Sequence, residues 1–210
     1  MTETFKRRTP SQWGEGGALK QEILAAAARL LIESGNEGDV SLRAVAREVG
    51  ISAPSIYLHF QNRSELMAAV TRQIYRELVA ELRRAGRRTE SAGPGEALLA
   101  MAHRYCEFAL ENPRRYRLMF LLEHPTAPRD QLPGHPVRLM LDTWTEAVTA
   151  CRDIPGPHPG DERSGDERDA LFLWSALHGL VAISMALPFE TDPRELAGRV
   201  RELVDRIMAE

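Results

Sequence analysis

The stretch SLRAVAREVGISAPSIYLHF, residues 41–60, decides how this chain is read. Ser41 can cap a helix whose Leu42, Val45, Ala46 and Val49 recur at helical spacing. Gly50 stands where a tight turn needs positive φ, which glycine adopts without a steric clash. Ile51 then plugs the turn into the core. Ser52 caps a second helix, with Ala53 and Pro54 in its first turn, where a missing N–H costs little. Only Ile56 and Phe60 need point inward, which leaves Ala53, Pro54, Ser55, Tyr57 and His59 on or near the open face.

A short helix on a rigid partner, with its first turn exposed, is a helix-turn-helix. Such a helix spans about 12 Å over eight residues. The DNA major groove is about 12 Å wide. Small residues let the backbone approach base edges. Ser55 can donate or accept, Ala53 can touch a thymine methyl, and Tyr57 and His59 can reach phosphates or bases. A helical hairpin with small residues on its surface has the same spacing, so the pattern alone leaves both open.

The rest of the chain patterns as helix, without a convincing strand or internal repeat. Residues 18–34 place Ile23, Ala27, Leu30 and Leu31 on one face, and Gly35 can end that helix. Asn62 and Glu65 form a capping box for a long helix that fades near Arg83, Arg84, Arg87 and Arg88. Helices are expected over 94–110, from Pro113, over 137–151, over 168–187, and from Asp192 to the end. The stretch DIPGPHPGDERSGDE, residues 153–167, reads as a loop. Its His158, Asp161, Glu162 and Asp166 match no metal-ligand spacing, so a solvated loop is expected and no metal.

Composition narrows the class. With 43 % hydrophobic residues in 210, the chain can bury a core. The sequence reads as lacking a membrane span, and MTETFKRRTP lacks the apolar core of a secretory signal, so a cytoplasmic location is expected. Cys106 and Cys151 form no metal or redox motif, which makes them expected structural thiols. No nucleophile–base pair is visible, so no enzyme activity and no cofactor are expected. Net charge is −3. Residues 1–63 carry 8 Lys or Arg against 7 Asp or Glu, whereas residues 124–210 carry 9 against 15. The acidic excess lies far along the chain from the candidate DNA-binding stretch, which permits binding to phosphates but does not demand it. Lys6, Arg7 and Arg8 can form a basic arm along DNA, or simply a disordered terminus.

The segments ILAAAARLLIESG, SLRAVAREVGIS and SIYLHFQNRSEL resemble, in one register over residues 19–66, the DNA-binding region of the TetR family of bacterial transcriptional regulators. The resemblance implies that the helix from Ser52 is the recognition helix, with Tyr57 and Arg63 on phosphate and Arg43 on phosphate or a base. The sequence departs from that pattern at Ala44, Pro54 and Leu58, where the family usually has an acidic residue, Gly or Lys, and Tyr or His.

Residues 105–120 and WSALHGL, residues 174–180, resemble one variety of the family's C-terminal domain through Trp174, His178 and Gly179. The fold implied is all-α: a flexible arm over 1–17, a helix-turn-helix domain over 18–63, and an effector-binding and dimerisation domain over 64–210. The partners implied are a double-stranded DNA operator, a small-molecule effector of unknown identity and a second copy of the chain. Leu171, Trp174, Leu180, Ile183 and Leu187, with Leu196, Val200, Leu203 and Ile207, suggest pairing through the last two helices. Tyr105, Phe108, Phe120, Trp144, Trp174 and His178 are candidate effector contacts, although the same residues suit a helical core.

Overall fold

The computed structural model describes residues 16–34, 40–121, 135–152, 162–187 and 192–209. Among these residues the structure is all-helical. The helices are α1 (Gly16–Ser34), α2 (Leu42–Val49), α3 (Ala53–Tyr57), α4 (Arg63–Thr89), α5 (Pro94–Glu111), α6 (Pro113–Leu121), α7 (Pro136–Cys151), α8 (Glu162–Ala186) and α9 (Pro193–Ala209). A three-residue 3-10 turn, Glu90–Ala92, joins α4 to α5.

The chain forms two compact units that divide inside α4, between Ile74 and Tyr75, with residues 117–121 belonging to the first. The sequence pattern puts the boundary at the start of that helix instead. The apolar face of α4 continues through both units, so nothing in its periodicity marks the change: Leu66, Val70, Ile74, Leu78 and Leu82 are all buried.

The first unit is held by side chains four or fewer residues apart along each helix. Ile23, Ala26, Ala27 and Leu31 of α1 are buried, as are Leu42, Val45 and Ala46 of α2. Leu30 and Val49, expected inside, are half-buried. Ile56 and Phe60 are at 0 % and 1 % exposure, and Lys20 Nζ sits 5.5 Å from the Phe60 ring centre.

The second unit packs α5 against α7, α8 and α9. Its buried centre holds Tyr105, Phe108, Trp144, Leu173, Trp174 and Leu177. Ion pairs tie α7 to α8. Arg138 reaches Glu167 at 2.7 Å, and Arg152 reaches Asp166 and Asp169 at 2.9 and 2.6 Å. These contacts correct the expected loop. Its last residues belong to α8, which begins at Glu162, because Asp166 and Glu167 gain arginine partners that a solvated loop lacks. His158 and Asp161 lie outside the described residues.

Helix α8 is apolar over a long stretch. Gly165–Ala186 contains an 18-residue window of mean hydropathy 1.5, long and apolar enough by composition to cross a membrane, and a third of it is buried in this fold. Its apolar residues fall on two sides. Ala170, Leu173, Leu177 and Val181 are buried, while Leu171, Phe172, Ile183 and Leu187 are between 47 and 62 % exposed.

Candidate functional site

The exposed turn after α2 is built by three local devices. Ser41 Oγ accepts the Ala44 N–H at 3.1 Å and caps α2. Gly50 ends that helix at φ 75°, and the Ile51 N–H reaches back to the Ala46 carbonyl at 2.9 Å. Ser52 Oγ then accepts the Ser55 N–H at 3.3 Å and caps α3. Two consecutive caps around one left-handed glycine fix the angle at which α3 leaves α2.

The regular part of α3 is shorter than the sequence pattern suggests. It spans five residues, and the last turn tightens as Leu58 and His59 N–H groups bond to the carbonyls three residues back. The reason is the next helix. Phe60 must enter the core, and Asn62 must cap α4 two residues later. Asn62 Oδ1 accepts the Glu65 N–H at 2.9 Å, and Glu65 reaches back to the Gln61 N–H at 2.7 Å.

Ser52, Pro54 and Tyr57 are exposed, as is Arg43 in the first turn of α2; Ala53, Ser55 and His59 are half-buried. The Ser52 and Ser55 hydroxyls hydrogen-bond to each other at 2.7 Å. Arg63 is half-buried, and its Nε donates to the Val40 carbonyl at 2.9 Å, fastening the start of α4 to the segment before α2. Leu58 is a candidate site residue that sequence reasoning misses. It stands out there only as a departure from the family pattern, yet at 85 % exposure it is the most exposed large apolar side chain among the described residues. The available signal is its position, two residues before a buried Phe60. Lys6, Arg7 and Arg8 lie outside the described residues.

Five of the six candidate effector contacts belong to the second unit, and four of them meet. Trp174 Nε1 donates to the Tyr105 hydroxyl at 3.0 Å, and Tyr105 stands edge-on to Trp144 at 5.9 Å. The Tyr105 and Tyr116 hydroxyls are 2.8 Å apart, and Tyr116 reaches His178 Nδ1 at 2.6 Å. Phe108 is buried at 1 % exposure beneath Arg115, and Phe120, at 36 %, belongs to the first unit. Tyr116 joins the relay although nothing in the sequence singles it out. It sits on a separate helix eleven residues after Tyr105, and no periodicity predicts that meeting.

The direction of this relay depends on which nitrogen of His178 carries the proton. With that proton on Nε2, Tyr105 accepts the indole N–H and donates to Tyr116, which donates to Nδ1 of a neutral His178. Burial pushes its pKa below the usual imidazole value and raises that of Tyr105 well above the phenol value. The Cys106 thiol is pushed by burial up to about 12, as a structural thiol should be.

The model of bacterial regulatory proteins of the tetR family matches residues 23–70, and that of the tetracyclin repressor-like C-terminal domain matches residues 98–207. This chain is a member of the tetR family. The HTH-type transcriptional regulator Rv1816 of Mycobacterium tuberculosis is 27 % identical, over 91 % of this chain and 93 % of its own length. The HTH-type transcriptional activator FasR of Mycolicibacterium smegmatis is 28 % identical, over 78 % of this chain and 68 % of its own. Among solved structures, SmeT, the repressor of a Stenotrophomonas maltophilia multidrug efflux pump, shares the fold with a TM-score of 0.62 at 22 % identity, covering 90 % of this chain and 88 % of SmeT. SmeT is also known as a complex with triclosan. The tetR-family chain described here is thus a DNA-binding transcriptional regulator.

Proposed function

We propose that this regulator is a homodimeric repressor, acting in the bacterial cytoplasm, that leaves a palindromic operator when a small molecule binds its second unit. The observation that carries the DNA half is the doubly capped turn that leaves Ser52, Pro54, Tyr57 and Leu58 exposed over a buried Ile56 and Phe60. In this reading Ala53, Pro54, Ser55 and Leu58 meet base edges, Leu58 against a thymine methyl. Tyr57, His59 and Arg43 meet phosphates or flanking bases, and Arg63 both anchors α4 and faces the backbone.

The dimer half is supported by α8. Phe172 and Ile183 are more than half exposed, and a Cβ on Gly179 would meet nothing within 4 Å. Beside them Leu180 and Leu203 line a groove shared with α9. An apolar face of this kind calls for a partner, and a second copy of the same face satisfies it by two-fold symmetry. Such a dimer sets two recognition helices about 34 Å apart. Helix α4 is common to both units and is the covalent route by which an effector changes that spacing, to the extent that it binds one conformer better than the other.

Selection of bound duplexes from a random pool, followed by a salt titration, tests the DNA reading. Arg43→Ala is expected to weaken binding and reduce the log–log salt slope by about 1. An unchanged slope removes its phosphate contact, and no preference for any duplex removes the reading itself. Sedimentation velocity at micromolar concentration is expected to show a dimer that Ile183→Glu converts to monomer.

A further inference from the structure

Within the second unit, α4, α5 and α7 enclose an open cavity of about 540 Å³ that none of the six candidate effector contacts lines. Its size falls in the range of about 300–1,000 Å³ typical of small-molecule sites. The floor is apolar. Leu98 and Met101 of α5 are 0 % and 6 % exposed, with Ala97 and Ala147 beside them. Gly86 of α4 makes that floor possible. A Cβ there would meet Met101 Sδ at 3.1 Å and Cγ at 3.2 Å, so any larger residue displaces the methionine.

The rim is charged. Arg83 spans the mouth to Glu146 at 2.8 Å, with both side chains more than 40 % exposed. Exposed pairs of this kind add little stability and yield readily to a competing ligand. Arg87, one turn further along α4, lines the cavity and has no ion-pair partner among the described residues. The charged lining is Arg83 and Arg87 with Glu90 and Glu146, and Glu146 is engaged by Arg83. Among the described residues Arg87 is left as the unpaired guanidinium at the opening, above an apolar floor.

We propose that this cavity binds a small amphipathic carboxylate, its head on Arg87 and Arg83 and its apolar body over Leu98 and Met101. The proposal rests on the effector-responsive reading and names the chemistry of the effector. A guanidinium pairs a carboxylate through two parallel N–H donors, which a neutral head cannot match and a cationic head opposes.

Titration calorimetry of the full chain with decanoate, decanol and decylamine tests it, because the three share one tail and differ only in the head. Decanoate is expected to bind at least tenfold more tightly than decanol, and decylamine more weakly than either. Arg87→Gln is expected to cost decanoate roughly ten- to hundredfold and leave decanol unchanged. Ala147→Phe, which fills the cavity, is expected to weaken both. Decylamine binding as tightly as decanoate overturns the proposal, as does decanoate binding that survives Arg87→Gln; that variant sits on an exposed position and does not threaten folding. Operator affinity measured with and without decanoate separates the two readings. Decanoate that binds through Arg87 without moving operator affinity upholds the site and removes the effector role, whereas decanoate that fails to bind removes the site and leaves DNA recognition intact.

Discussion

The turn between α2 and α3 and the aromatic relay around Tyr105 are both small and well fixed, but they are fixed over very different lengths of chain. In the turn, Ser41 caps Ala44 and Ser52 caps Ser55, each across three residues. In the aromatic relay, Trp174 meets Tyr105 across 69 residues and Tyr116 meets His178 across 62. Local devices survive in any context that keeps a helix, whereas the second arrangement exists only after its helices have packed. That contrast suits the roles proposed for them. A DNA-reading turn must hold its shape on and off the operator, while a domain that answers an effector benefits from an order that packing sets and packing can alter.

The largest test of the contrast is Phe60→Ala. It empties a fully buried site behind the turn and is expected to cost about 3–5 kcal/mol, read as a lowered urea midpoint together with lost operator binding. If operator affinity survives, the caps alone hold α3 and the hydrophobic anchor is dispensable. Next comes Tyr105→Phe. It removes the hydroxyl that accepts the Trp174 N–H and one of the partners of the Tyr116 hydroxyl, for about 1–3 kcal/mol. The effect is expected to appear in stability while DNA affinity at the same temperature stays near the parent's. A neutral result shows that the aromatic rings pack well enough without their polar edges.

The smallest effect is that of pH on His178. Its folded pKa lies below the ordinary imidazole value because of burial, so the unfolded chain binds the proton more readily. The stability it confers is complete above about pH 6.5 and is lost as pH falls through the lower folded value. Protonating Nδ1 also reverses the hydroxyl relay and leaves the Tyr105 proton without an acceptor. His178→Gln is expected to flatten this part of the pH–stability profile; a profile that keeps its slope assigns the titration to another group.

The same contrast explains what is legible in the sequence. Ser41, Gly50, Ser52 and Asn62 act within a few residues, so each cap and the positive φ can be read from residue order alone. The burial of Ile56 and Phe60 is legible too, because helical spacing carries it. The early end of α3 is not, since it depends on how soon Phe60 and Asn62 must be satisfied. The start of α8 at Glu162 is hidden because Asp166 and Glu167 look like loop residues until Arg152 and Arg138 of α7 meet them. The cavity beside Arg87 is hidden for the same reason: α4, α5 and α7 contribute to it from three separate stretches, and the aromatic residues that suggest a lining are occupied with one another.

The paired hydroxyls of Ser52 and Ser55 carry a consequence for the operator. Two hydroxyls 2.7 Å apart share a single bridging proton, and whichever oxygen gives it leaves the other free to point its hydrogen outward. Rotation about two soft torsions exchanges these roles. If these serines face the groove as proposed, a purine acceptor and an exocyclic amine are met equally well at this spot. The base pair beneath it should vary from one binding site to the next, and the letters that stay constant should lie under the side chains that cannot swap roles.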